Sequence, residues 1–352
     1  MITEVRLFAN VLVLLLASSL VAQVPASRRT DAEIAIGVLG LFRSPEVVVR
    51  PQTENVLVCS AEDERLVVTA PLAVKLNGRN LDFGGRTIDK ATLHCDDGQG
   101  NVSAFIVSVP GRISRHYIGK LELRAASGQL IIVVHMDVET AVASIVAAES
   151  PAGAPMEALK AQAVATRSFL VAGKGRHRDF DFCDTTHCQF LRAPPPAQST
   201  SGQAAAATTG LVLAYKERVL PALYSSSCGG RSHSLRELGL PVRDYPYFAV
   251  PCSYCQRHPE RWASRIQEAD GADLAPTEHS RLQLARKLGW KAVPSNSYSS
   301  RHENGSIVLE GLGVGHGLGL CQRGAADMAR NGASFLEILE HYYPNTAVVR
   351  LL

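Results

Sequence analysis

The chain has 352 residues, 46% of them hydrophobic and 20% charged, with a formal net charge of +3. Such a chain suits one large or two ordinary folded domains. The charge is too mild, and Lys and Arg too scattered, for a nucleic-acid-binding stripe.

Arg6 precedes LFANVLVLLLASSLVA, sixteen residues that are apolar but for Asn10 and small residues near the end. A membrane-spanning helix needs roughly 20 apolar residues, so this stretch better suits a secretory signal. Residues 1–26 are expected to be a signal peptide, with an uncleaved anchor as the alternative and membrane contact only in that case. No later segment is apolar enough to span, so export is expected. In an oxidising compartment the eight cysteines are free to pair, and Cys59 and Cys95, alone in the first third, are expected to do so.

Residues 30–137 form a β-rich region. EIAIGVL, VVVR, NVLVCS, RLVVTA, SAFIVSV and QLIIVVHMDV are short, rich in β-branched residues and separated by turn formers. Asn77-Gly78 and Asp97-Gly98 are expected to turn hairpins.

From Val138 the periodicity changes. TAVASIVAAE reads as a helix with Glu149 at its C-terminal end, where the helix dipole and apolar neighbours favour a protonated carboxyl. Pro155 starts a second helix, Glu157 lies in its first turn, and Gly173 caps its end. The polar loop from Gly175 to Arg192 contains DFCDTTHCQF, and APPPAQSTSGQAAAATTG reads either as a linker or as a short helix. A hairpin turning near Lys216-Glu217 follows. Residues 256–302 are expected to be a helical insertion, SIVLEGLG a strand, and CQRGAADMARNG and SFLEILEHYY two further helices. The fold class is α+β, a β-rich region followed over 138–352 by a mixed helix and strand region with a substrate groove.

Four groups carry chemical potential. Glu149, at the edge of apolar surface, suits a general acid that holds its proton near neutral pH; its bland alternative is a solvated helix end. GLGVGHGLGLCQRGA, from Gly311 to Ala325, lets backbone approach a ligand around His316, yet it lacks the GxxxxGK[ST] phosphate loop. Cys183, His187 and Cys188, with Cys252 and Cys255 downstream and His177 upstream, have the residue types of a tetrahedral zinc site, against disulfide pairing as the alternative. YSSSCGGR, from Tyr224 to Arg231, has no GxSxG elbow, which excludes a serine hydrolase of that type. A nucleophilic Cys228 or Cys321 with His316 is the remaining thiol alternative.

Taken together, VAAESPAGAPMEALKAQAVATRSF, FDFCDTTHCQF, LVLAYKERVLPALYSSSCGGRS, YPYFAVPC and GVGHGLGLCQRGAADMARNG resemble, in this order, the stage II sporulation protein D family, which includes the amidase enhancers. The resemblance implies a lytic transglycosylase acting on peptidoglycan glycan strands stripped of stem peptides. It implies Glu149 as the acid and base, Lys160 and Arg167 as substrate-binding residues, and a structural zinc on Cys183, His187 and Cys188, with Cys252 and Cys255 as further candidates. Tyr224 and His316 are also expected to bind substrate, with a hydrogen-bonded structural role as the alternative for His316. Ser150 stands where the family usually has Met and Cys321 where Ser is common. The latter implies a disulfide with Cys228 near the groove. The implied location is the cell envelope or periplasm. The implied partners are glycan strands and a cell-wall amidase, and the rival reading is a non-catalytic enhancer of that amidase.

Overall fold

The computed structural model describes residues 33–351, apart from 53, 62–63, 89–91, 243–244 and 271–274. The expected signal peptide lies outside the described residues. Among these residues the chain is α+β, with seven α-helices and a large, mainly antiparallel sheet. No helix among them is long and apolar enough to cross a membrane.

The six expected strand segments are all strands of this sheet. Its spine is the long strand Ile113–Ala126, where Tyr117, Leu121 and Leu123 alternate inward and polar residues outward. One side of that strand pairs with Gln129–Asp137. The other pairs first with Ser103–Val109 and then with Thr92–Asp96. These last two strands are therefore collinear, and Asp97-Gly98 sits in the excursion between them. The expected hairpin there does not form, because the flanking strands share a partner instead of pairing with each other. Gly78, at φ 62°, does turn a two-residue hairpin closed by the Asn77 and Asn80 pair. Cys59 and Cys95 lie opposite each other on adjacent strands and are joined as a disulfide.

The last strand residue, Asp137, is also the N-cap of α1 (Val138–Glu149), its carboxylate accepting the amides of Glu139 and Thr140. Helix α2 (Met156–Ala172) follows, with Pro155 at its N-cap and Gly173 at its C-cap. The alanine-rich tract forms a true helix, α3 (Thr200–Ala207), capped by Ser199. Apolar residues of these three helices continue the core of the sheet across residue 137. Alanines keep α2 thin enough to be buried on two sides. Leu159, Ala163, Phe169 and Leu170 face the sheet core. Ala158, Ala161, Val164 and Ala165 face a second core shared with α6 (Gln322–Arg330) and α7 (Phe335–Tyr342).

The hairpin after α3 turns at Lys216 and Glu217, both in the left-handed region at φ 48° and 63°. The expected helical insertion is different in kind. After the short α4 (Ser253–Arg257), the strands Arg261–Gln267, Ser306–Leu312 and Ser297–Glu303 form a three-stranded antiparallel sheet, backed by α5 (Glu278–Leu288) around a small core of its own. Its outer strands are mostly polar and exposed, so the alternation that betrays a strand is muted in RWASRIQ and SYSSRHE.

Candidate active site

Glu149 is the last residue of α1, and the chain leaves the helix at Ser150 because Pro151 disfavours a further helical residue before it. The carboxylate is partly covered. Phe190 N–H donates to Oε1 at 2.6 Å, and Tyr224 O–H donates to Oε2. Burial raises the Glu149 carboxyl above its ordinary value, and the two donors oppose that rise by favouring the ionised form. Among the described residues no cation and no second carboxylate enters this hydrogen-bond network.

The end of α1 is held from behind. Gln322, the first residue of α6, donates from Nε2 to the Glu149 carbonyl at 2.9 Å and to Gln162 Oε1 at 3.1 Å. Ser150 Oγ donates to the same Gln162 oxygen at 3.0 Å, tying the end of α1 to α2. The strand pair Tyr224–Ser225 and Leu320–Cys321 runs parallel, which sets Tyr224 and Gln322 on neighbouring segments beside Glu149.

Phe190 belongs to the Cys/His loop. That loop hangs from the sheet edge through the pairing of Phe182 and Cys183 with Ile36 and Gly37. Asp181 accepts the amides of Ala35 and Gly175, each at 3.0 Å. The buried Asp184 accepts Leu39 N–H at 3.0 Å and pairs with Arg115 at 2.6 Å. Leu39, Leu41, Phe42, Arg115, Asp184, Thr185, Thr186 and Phe190 line a cavity of about 150 Å³. A larger cavity, about 760 Å³, lies on the inserted sheet against Trp262 and Tyr298 and shares no lining residue with the Glu149 network. The smaller cavity shares only Phe190 with that network.

Of the other expected site residues the structure brings Tyr224 onto Glu149 and turns Arg167 and Lys160 elsewhere. Arg167, expected at the groove, is 1% exposed. Its guanidinium grips Glu139 at 2.7 and 2.5 Å and donates to the carbonyls of Leu211 and Ala205 at 3.1 and 3.3 Å. Lys160 pairs with Glu157 at 2.7 Å and lies over the Phe335 ring. At about 100° per residue, Lys160 sits roughly 160° around α2 from Gln162, which faces Glu149. The basic residues therefore project from a different face than the one that meets the acid. His316 accepts Leu318 N–H on Nδ1 at 2.9 Å, hydrogen-bonds the backbone of Tyr224 and has Glu278 and Arg281 of α5 near its ring. Burial lowers its pKa to about 4, which leaves the imidazole neutral.

The cysteines fall into two sets, where a single zinc group was expected to draw on both. His177, Cys183, His187 and Cys188 converge within 4.8 Å. Cys252 and Cys255 lie elsewhere, with Cys228 and Cys321. In the first set His177 Nε2 is 3.2 Å from Cys188 Sγ, and His187 Nδ1 is 3.7 and 3.6 Å from the two sulfurs. A zinc tetrahedron with bonds of about 2.0–2.3 Å has edges of about 3.3–3.8 Å, so these four residues fit the ion. Cys228 and Cys321 remain unbonded, so the expected disulfide between them is absent, and neither makes a hydrogen bond to His316.

Gln162, Gln322 and the Phe190 amide were not expected. Gln162 and Thr166 are polar residues four apart on an apolar helix face, and that pattern marks the side of α2 turned to the site.

Comparison with known proteins bears on this geometry. Residues 126–215 match the sequence model of the family described as Stage II sporulation protein. The chain is 28% identical over 268 residues to an uncharacterized protein of Brachyspira hyodysenteriae, covering 66% of this chain and 72% of that one. It is 26% identical over 255 residues to Stage II sporulation protein D of Bacillus amyloliquefaciens, covering 60% and 74%. It is 23% identical over 279 residues to the amidase enhancer of Bacillus subtilis, covering 57% of this chain and 39% of that longer one.

Proposed function

We propose, for a chain that belongs to the stage II sporulation protein D and amidase-enhancer family, that it is a peptidoglycan lytic transglycosylase of the cell envelope. Membership carries a cell-wall-related role. The observation that supports the finer reading is Glu149 itself, a partly covered carboxyl with two donors and no carboxylate partner among the described residues.

Hydrolytic glycosidases generally need two carboxylates, one to activate water or to form a covalent intermediate. A transglycosylase needs one. Protonated Glu149 gives its proton to the oxygen of the β-1,4 bond between N-acetylmuramic acid and N-acetylglucosamine, and that bond breaks. The carboxylate left behind is the form that Tyr224 O–H and Phe190 N–H stabilise. It then takes the proton of the muramoyl 6-hydroxyl as that oxygen bonds to the anomeric carbon, leaving a 1,6-anhydro end and restoring the acid. No water is consumed. The nucleophile belongs to the substrate, so its effective concentration is already high.

His177, Cys183, His187 and Cys188 would hold a zinc ion with all four positions filled by protein, which supplies structural order and no open site for catalysis. The chain's own contribution is then the placement of Phe190, two residues beyond Cys188, against Glu149. The amidase enhancer relative favours a second reading, in which the chain binds strands and stimulates an amidase without cutting.

Incubating the protein and its Glu149→Ala variant with peptide-free and peptide-bearing strands, followed by mass spectrometry, tests the proposal. Anhydromuramoyl ends from the wild type alone are expected. Ordinary reducing ends would mean hydrolysis, and binding without fragments would favour the enhancer.

A further inference from the structure

Four thiols lie behind the site, in the core between α4, α6 and α7, and the reaction above does not use them. Cys228, Cys252, Cys255 and Cys321 are each no more than 2% exposed, and their sulfurs lie within 4.8 Å of one another. Cys255 Sγ and Cys321 Sγ are 3.6 Å apart. Cys59 and Cys95 are joined as a disulfide elsewhere in the same chain, yet these four stay unbonded. Sulfurs around a tetrahedral ion with bonds of about 2.3 Å stand about 3.8 Å apart. The four belong to separate parts of the chain, with only Cys252 and Cys255 close in sequence, and all lie outside residues 126–215.

Their surroundings suit thiolates better than packed thiols. Tyr342 O–H donates to Cys252 Sγ at 3.5 Å, and Gly324 N–H donates to Cys321 Sγ at 3.4 Å. Ser227 Oγ lies 3.5 Å from Cys255 Sγ. Cys321 caps the N-terminus of α6, where the helix dipole favours negative charge. A side chain on Gly324 would lie 2.6 Å from Cys252 Sγ and press on the Tyr342 oxygen, so helix backbone meets the cluster at closest approach.

We propose that Cys228, Cys252, Cys255 and Cys321 form a second, tetrathiolate zinc site, distinct from the one on His177, Cys183, His187 and Cys188. Four protein ligands close it, so its role is structural. Cys321 immediately precedes Gln322, and Cys228 follows the strand that carries Tyr224. The ion ties together the two segments that hold Glu149 from behind. This site does not depend on the transglycosylase reading.

The test is zinc content and X-ray absorption on the full chain, purified without chelator, alongside non-reducing mass spectrometry. Two zinc ions per chain are expected, with an average shell of three sulfurs and one nitrogen, because S4 and S2N2 sites contribute equally. Cys255→Ser should lose one ion and Cys188→Ser the other. One zinc with an S2N2 shell would overturn the proposal, whether the four cysteines are found as two disulfides or as free thiols. The wild-type measurement decides even where a variant does not fold.

Discussion

Arg167→Ala separates the structural reading of α2 from the expectation that this basic residue binds substrate. In the fold the guanidinium is buried, makes a two-point ion pair with Glu139 and satisfies the carbonyls of Leu211 and Ala205. Truncation leaves the Glu139 carboxylate with only the Gly210 amide and takes the guanidinium donor from the Leu211 carbonyl, while the Ala205 carbonyl keeps Thr208. Because the Glu139 side chain is a third exposed, this costs less than breaking a fully buried pair, about 2–3 kcal/mol, and Tm falls by several degrees. Arg167→Lys keeps the charge but not the fork, and should cost about 1–3 kcal/mol. The assay is thermal unfolding in parallel with binding to peptide-free glycan strands. A variant that melts like the wild type but no longer binds strands would refute the reasoning and return Arg167 to the groove.

Glu149→Gln should leave the fold intact and reduce anhydromuramoyl product by about 10²–10⁴-fold, read by mass spectrometry. Because burial raises this carboxyl, the native state holds its proton more tightly than the unfolded chain does. The stability it contributes is full below the ordinary carboxylate range and declines as pH rises through the folded value. Urea unfolding should therefore show Glu149→Gln gaining on the wild type above that window and not below it. Tyr224→Phe removes the O–H given to Oε2, so the carboxyl rises further and the alkaline limb of the activity profile moves to higher pH. An unmoved limb would mean that this hydroxyl does not govern the acid. Removing metal from the His177 set, or Cys188→Ser, should speed amide exchange over residues 183–190 and lower strand cleavage together. Unchanged exchange would show that Asp181 and Asp184 hold the loop alone.

Much of the fold could be read along the chain, because its causes are local. β-branched runs, an alanine-rich helix between Pro155 and Gly173, and turns at Asn77-Gly78 and Lys216-Glu217 each express the preferences of a few neighbouring residues. Where exposure muted the alternation, as in the inserted sheet, reading failed, and Asp97-Gly98 misled because pairing is decided by partners along Ile113–Ala126.

Glu149 stood out in the sequence because its setting is local: a Glu at a helix end before Ser150-Pro151. What surrounds it did not. Gln162, Gln322 and the Phe190 amide come from segments up to 173 residues away, brought together by the packing of α2 between two cores, and Tyr224, expected at the site, meets Glu149 the same way. Helical phase assigned Lys160 and Arg167 to a face away from Gln162, and burial gave Arg167 to Glu139. The same holds for the cysteines. Residue type announced metal or disulfide chemistry, and only tertiary packing decided that Cys252 and Cys255 stand with Cys228 and Cys321, since which distant side chains converge depends on how separate elements pack and not on their spacing in sequence.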